Sequence, residues 1–132
     1  MRSGLAMALI LIIDDEVLIG EVAGRALRLY GHDVVIARSG EEGLRLFQQQ
    51  PFDLVITDVR MPGMNGPEVI KALHALRPET RVIVMGGDGS VPAFGVQAFA
   101  RQVGADRVLL KPFGTHELNA TVSELLAVAS GG

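Results

Sequence analysis

The chain has 132 residues, 48% of them hydrophobic, with 12 Lys and Arg against 15 Asp and Glu, a formal net charge of -3 and no cysteine. That length suits one domain whose core buries roughly two thirds of the unfolded surface. The absence of cysteine excludes disulfide frameworks, thiolate metal sites and thiol nucleophiles and accords with a reducing, cytoplasmic setting. The interspersed, slightly acidic charge argues against a nucleic-acid or anionic-membrane footprint.

The first apolar run, GLAMALILII from Gly4 to Ile13, ends in Asp14, Asp15 and Glu16, with no small-residue cleavage site. It is also shorter than the about 20 apolar residues that cross a bilayer. It reads as a leader over residues 1–8 and a strand at Leu9–Ile13, opening a domain that runs from 9 to 129. Leu18, Val22, Ala26 and Leu29 then recur at helical spacing and form one apolar stripe, closed by Gly31. A second strand, Val34–Ala37, precedes Ser39, a candidate helix N-cap. The third strand, Leu54–Thr57, leads to a helix with Pro67 in its first turn and a stripe of Val69, Leu73 and Leu76. Val82–Met85 is a fourth strand that runs into Gly86, Gly87, Asp88 and Gly89.

The fourth helix is expected around Pro92–Val103, with Phe94, Val96, Phe99 and Val103 apolar. An internal Gly95 weakens it by roughly 1 kcal/mol relative to alanine, and Gly104 closes it. The last strand is Arg107–Leu110, followed by a helix capped by Thr115 with a stripe of Leu118, Val122, Leu125 and Ala129. Strands apolar on both faces, alternating strictly with helices, imply an open α/β class with a five-stranded parallel sheet covered on both sides.

Ligands of such sheets sit outside the carboxyl ends of the strands. There the first strand presents Asp14 and Asp15, the third Asp58, the fourth Gly86 and the fifth Lys111 before Pro112. Carboxylates about 4 Å apart repel by on the order of 4 kcal/mol at an effective dielectric of 20, a cost without structural return. A hard divalent cation such as Mg2+ relieves it and leaves room for a phosphate oxygen, which Lys111 can meet from the other side. The pattern fits phosphoryl transfer to a carboxylate nucleophile. Taken singly, the aspartates would pass for helix caps and Lys-Pro for a turn.

IIDDE at Ile12–Glu16, VITDVRMPGMNG at Val55–Gly66 and LLKPF at Leu109–Phe113, in that order, resemble the receiver domain of bacterial two-component response regulators. The resemblance covers about Leu9 to Val128. It implies the flavodoxin-like receiver fold with strand order 2-1-3-4-5, and an aspartyl phosphate formed from a sensor histidine kinase or a histidine phosphotransfer protein. By motif, Asp58 is the phosphoacceptor, Asp15 and Asp58 bind Mg2+ directly, and Asp14 binds it through water. Arg60 offers its backbone carbonyl and Lys111 contacts the phosphoryl group. The Lys111-Pro112 bond is implied to be cis. The surface of the fourth helix, fifth strand and fifth helix is the implied contact face for partners, including a second copy of the chain.

Two positions depart from the family's pattern. Gly86 stands where Ser or Thr usually binds the phosphoryl oxygen, and Val108 where Tyr or Phe usually moves with it. A backbone amide of Gly86 or Gly87 is the expected substitute contact, and a serine at Gly86 is expected to speed phosphorylation. The same departures leave open a degenerate receiver that binds partners without being phosphorylated. A haloacid-dehalogenase-type phosphohydrolase would place D-x-D after the first strand and add a cap, and a flavin site would need a Ser/Thr-rich loop after Ile13; neither is present. His32, His74 and His116 lack metal-binding spacing.

Overall fold

The computed structural model describes residues 8–87, 89–92 and 95–131, with side chains up to residue 127. Five strands and five helices alternate: β1 (Leu9–Ile13), α1 (Val17–Leu29), β2 (Asp33–Ala37), α2 (Gly40–Gln49), β3 (Leu54–Asp58), α3 (Gly66–Leu76), β4 (Arg81–Gly86), α4 (Val96–Val103), β5 (Arg107–Leu110) and α5 (Thr115–Gly131). The strands form one parallel sheet in the order β2-β1-β3-β4-β5, as the resemblance implies. Alternate side chains leave opposite faces of a strand, so the sheet makes two cores. Ile10, Ile12, Leu54, Ile56, Ile83 and Met85 pack with α1 and α5, whereas Leu11, Ile13, Val55, Val82 and Val84 pack with α2 and α3. Ala8, just before β1, is buried and its carbonyl accepts the Asp33 N–H. The rest of the expected leader, residues 1–7, lies outside the described residues.

The α1 stripe is corrected. Leu18, Val22 and Leu29 are 74%, 53% and 84% exposed, and only Ala26 of the expected set is buried. The helix instead turns Gly20, Ala23, Gly24 and Leu27 to the sheet. A β-carbon on Gly24 would stand 3.0 Å from Ile36 Cδ1, so small residues let α1 lie close against β2. On α3, Val69 and Leu73 are buried but Leu76 is 49% exposed. The expected α5 stripe holds at Leu118, Val122 and Leu125, while the side chain of Ala129 lies outside those described.

Helix ends also depart in places from expectation. Ser39 caps α2 by accepting the Glu42 N–H, but α5 starts at Thr115 itself, with the Gly114 carbonyl accepting from Leu118. Gly95 is the left-handed N-cap of α4, not an interior residue, so the expected interior penalty does not arise. Phe94 lies outside the described residues. The Lys111-Pro112 bond is cis.

Candidate phosphoryl and metal site

The carboxyl ends of β1, β3 and β5 bring the expected residues together. Asp14 follows β1 and is 1% exposed; its amide donates to the Ala37 carbonyl of β2, and its Oδ1 accepts the Glu16 N–H at 2.9 Å. Asp58, the last residue of β3, is 6% exposed and accepts the Val59 N–H at 2.9 Å. The turn behind it is tight: a β-carbon on Gly66 would stand 2.3 Å from the Asp58 carbonyl oxygen. An Asn65–Glu68 capping box starts α3 there. In the sequence that box shows as N-x-x-E at Asn65–Glu68.

Lys111 leaves β5 and ties the cluster. Its Nζ lies 3.4 Å from Asp14 Oδ2, 3.3 Å from Glu16 Oε1 and 3.3 Å from Asp58 Oδ1. Carboxylate oxygens of Asp14, Glu16 and Asp58 all fall within 4.8 Å of one another. Glu16 is thus a member that the motifs did not assign, although it stands in the acidic triplet Asp14-Asp15-Glu16. Asp15 is exposed and outside that triad, but its charge acts on Asp58. Arg60 is exposed, with its guanidinium 3.3 Å from the Gly89 carbonyl.

One ammonium does not neutralise three carboxylates, and the protonation equilibria reflect this. Burial pushes the Asp14 carboxyl up to about 6; the Glu16 N–H pulls it down, the Asp58 charge raises it and Lys111 lowers it. Burial also raises Asp58, against the pull of Lys111 and the Val59 N–H. Burial alone would lower Lys111, but Asp14 and Asp58 outweigh it and hold the ammonium charged. An all-oxygen donor set carrying excess negative charge fits a hard divalent cation such as Mg2+.

On the β4 side, Gly86 contributes no side chain, and the Gly87 amide donates to Ser90 Oγ at 2.9 Å. Ser90 was not singled out in the sequence, where its only sign is a hydroxyl residue closing the glycine run. His32 is buried behind α1, away from the acidic cluster, with no hydrogen-bond partner for either ring nitrogen among the described residues. Its ring stacks on Tyr30 at 6.3 Å. A groove of about 500 Å³ begins at Glu16 and Lys111 and runs past Leu18, Val22 and Phe113 to Leu118.

Residues 10–123 match the family described as response regulator receiver domain. The chain is 36% identical over 118 residues to the transcriptional regulatory protein ZraR of Escherichia coli, covering 89% of this chain and 26% of ZraR. It is 32% identical over 120 residues to the uncharacterized transcriptional regulatory protein YcbL of Bacillus subtilis, covering 91% of this chain and 51% of YcbL. The chain therefore spans about a quarter to a half of these relatives. Among solved structures, the chemotaxis protein CheY4 of Vibrio cholerae superposes with a TM-score of 0.82 at 30% identity, over 90% of this chain and 98% of that one. A CheY-like receiver domain protein from Methanospirillum hungatei gives 0.84 at 29% identity, over 95% and 98%.

Proposed function

Because the chain belongs to the response regulator receiver domain family, we propose that it is a phosphoacceptor in a two-component phosphorelay, working in the cytoplasm and signalling by protein contact. The observation that carries this reading is the single ammonium of Lys111 within 3.4 Å of both Asp14 and Asp58 at the sheet's carboxyl edge. An oxygen of Asp58 forms the new P–O bond. The P–N bond of a phosphohistidine, or the P–O bond of a small acyl phosphate, breaks with its electron pair leaving on the donor. Lys111 orients the Asp58 carboxylate and offsets charge on the phosphoryl oxygens. Asp14, Asp15 and Asp58 with the Arg60 carbonyl would hold Mg2+, which would supply further positive charge to offset the charge on the phosphoryl oxygens.

A sensor histidine kinase or histidine phosphotransfer protein supplies the phosphoryl group. The groove from Lys111 to Leu118, flanked by the exposed Leu18 and Val22, supports α1 as the face such a donor covers, since it adjoins the acceptor. For a second copy of the chain, the surface of α4, β5 and α5 remains the proposed face, with Leu110 45% exposed on it.

Acetyl phosphate with Mg2+ should add one phosphoryl group by intact-mass spectrometry, and Asp58→Asn should abolish it. A wild-type protein that binds Mg2+ yet stays unmodified would favour the second reading, a receiver that binds partners without phosphorylation. That reading has its support in Gly86 and Val108.

A further inference from the structure

We propose that the hydroxyl of Ser90, delivered by the loop after β4, is the phosphoryl-oxygen contact on the side of the site that Gly86 leaves bare. The proposal rests on the phosphoacceptor reading of Asp58. β4 runs beside β3 with Met85 paired to Asp58, and the Met85 carbonyl accepts the Val59 N–H, so Gly86 borders the acceptor. Gly86 has no positive φ that would call for glycine. What excludes a side chain is space: a β-carbon there would stand 2.7 Å from Ser90 Oγ, 2.7 Å from Val91 Cγ2 and 3.1 Å from Val59 Cγ2. The loop hydroxyl therefore borders the space that a side chain at residue 86 would fill, and glycine at 86 makes room for it.

Ser90 is held there. Val91 is buried on one side, and the Arg60 guanidinium reaches the Gly89 carbonyl on the other. The hydroxyl accepts the Gly87 N–H at 2.9 Å and donates to the Gly87 carbonyl at 2.7 Å, so one oxygen engages both backbone polar groups of Gly87. When the phosphoryl group arrives, the hydroxyl turns its hydrogen from the Gly87 carbonyl to a phosphoryl oxygen. The contact is a hydrogen bond, and no proton changes owner. The expectation that Gly86→Ser speeds phosphorylation is revised, because the new side chain would collide with Ser90 and Val91.

Initial rates of Asp58 labelling by acetyl phosphate at saturating Mg2+ test this in the full chain. Ser90→Ala should label roughly 10-fold more slowly, the effect of losing one hydrogen bond to a charged group. Ser90→Thr should keep the wild-type rate. Gly86→Ser alone should not be faster than wild type, whereas Gly86→Ser in a Ser90→Ala, Val91→Ala background, where both the Oγ and the Val91 Cγ2 that crowd position 86 are gone, should recover most of the loss relative to that background. That recovery separates a hydroxyl contact from a purely structural loop residue. A wild-type rate in folded Ser90→Ala, or no recovery in the folded triple variant, overturns the proposal. Ser90→Cys replaces Ser90→Ala if the latter does not fold. Failure of the acceptor reading is distinct: wild type itself would remain unlabelled, or Asp58→Asn would still take the label.

Discussion

Asp14 and His32 sit in the interior with opposite consequences for acid and base. The Asp14 carboxyl is raised by burial from 3.8 to about 6, so the unfolded chain gives up its proton first as pH rises. Its contribution to stability is complete below about 3.8 and is lost as pH climbs through about 6. His32 is lowered by burial, so its contribution is complete above its ordinary value of 6.5 and is lost as pH falls. In the metal-free protein the two slopes oppose each other near pH 6. Asp14→Asn should therefore raise the melting temperature at pH 7.5 by on the order of 4 °C per kcal/mol relieved. It should also steepen the fall in stability on acidification that His32 causes. His32→Leu should do the reverse and flatten that fall. Melting curves without metal from pH 4.5 to 8 check both, and an Asp14→Asn protein less stable than wild type at pH 7.5 would show that Lys111 compensates the buried charge fully.

At the scale of elements, α1 separates the two kinds of information a sequence carries. All five strands were legible because unbroken aliphatic runs have no other use in a short parallel sheet. The buried face of α1 was not, because Gly20, Ala23 and Gly24 pack by being small and leave no mark on an apolar period. Large residues at the right spacing, Leu18 and Val22, marked the outer face instead. Gly95 misled in the same way, since a glycine inside an apolar pattern gives no sign that its φ of 77° starts the helix there. The acidic cluster was legible because Asp14 and Lys111 directly follow their strands and Asp58 ends its own, whereas Ser90 depends on a loop path that periodicity does not describe. The exposed α1 face has a measurable consequence. Leu18→Glu, on the surface, should change stability by no more than about 0.5 kcal/mol. Transfer from a phosphohistidine-bearing partner should fall roughly tenfold relative to labelling by acetyl phosphate. Equal effects on the two donors would move the docking face elsewhere.

For the whole molecule, the proposed acceptor site is also a source of instability, and the cation proposed for it should relieve that instability. Asp14, Asp58 and Lys111 extend from three strands of one sheet, so repulsion among the carboxylates opposes closing the sheet itself. A cation that binds only the folded form stabilises it by about 2.7 kcal/mol at a hundredfold excess over its dissociation constant, on the order of 10 °C for a domain of this size. Two carboxylates compete for the role of further ligand. Glu16 is already paired with Lys111 at 3.3 Å, while the charge of Asp15 acts unfavourably on Asp58. The cation gains most where repulsion lacks a counter-charge, so Asp15→Asn should remove most of the Mg2+-induced rise in melting temperature and Glu16→Gln should leave most of it. Protons compete at Asp14, whose carboxyl titrates near about 6, so the rise should shrink markedly between pH 7.5 and pH 5. Melting curves of wild type and both variants, with and without Mg2+ at each pH, decide the matter. A rise that survives in Asp15→Asn but vanishes in Glu16→Gln would assign the cation to the Asp14–Glu16–Asp58 triad instead.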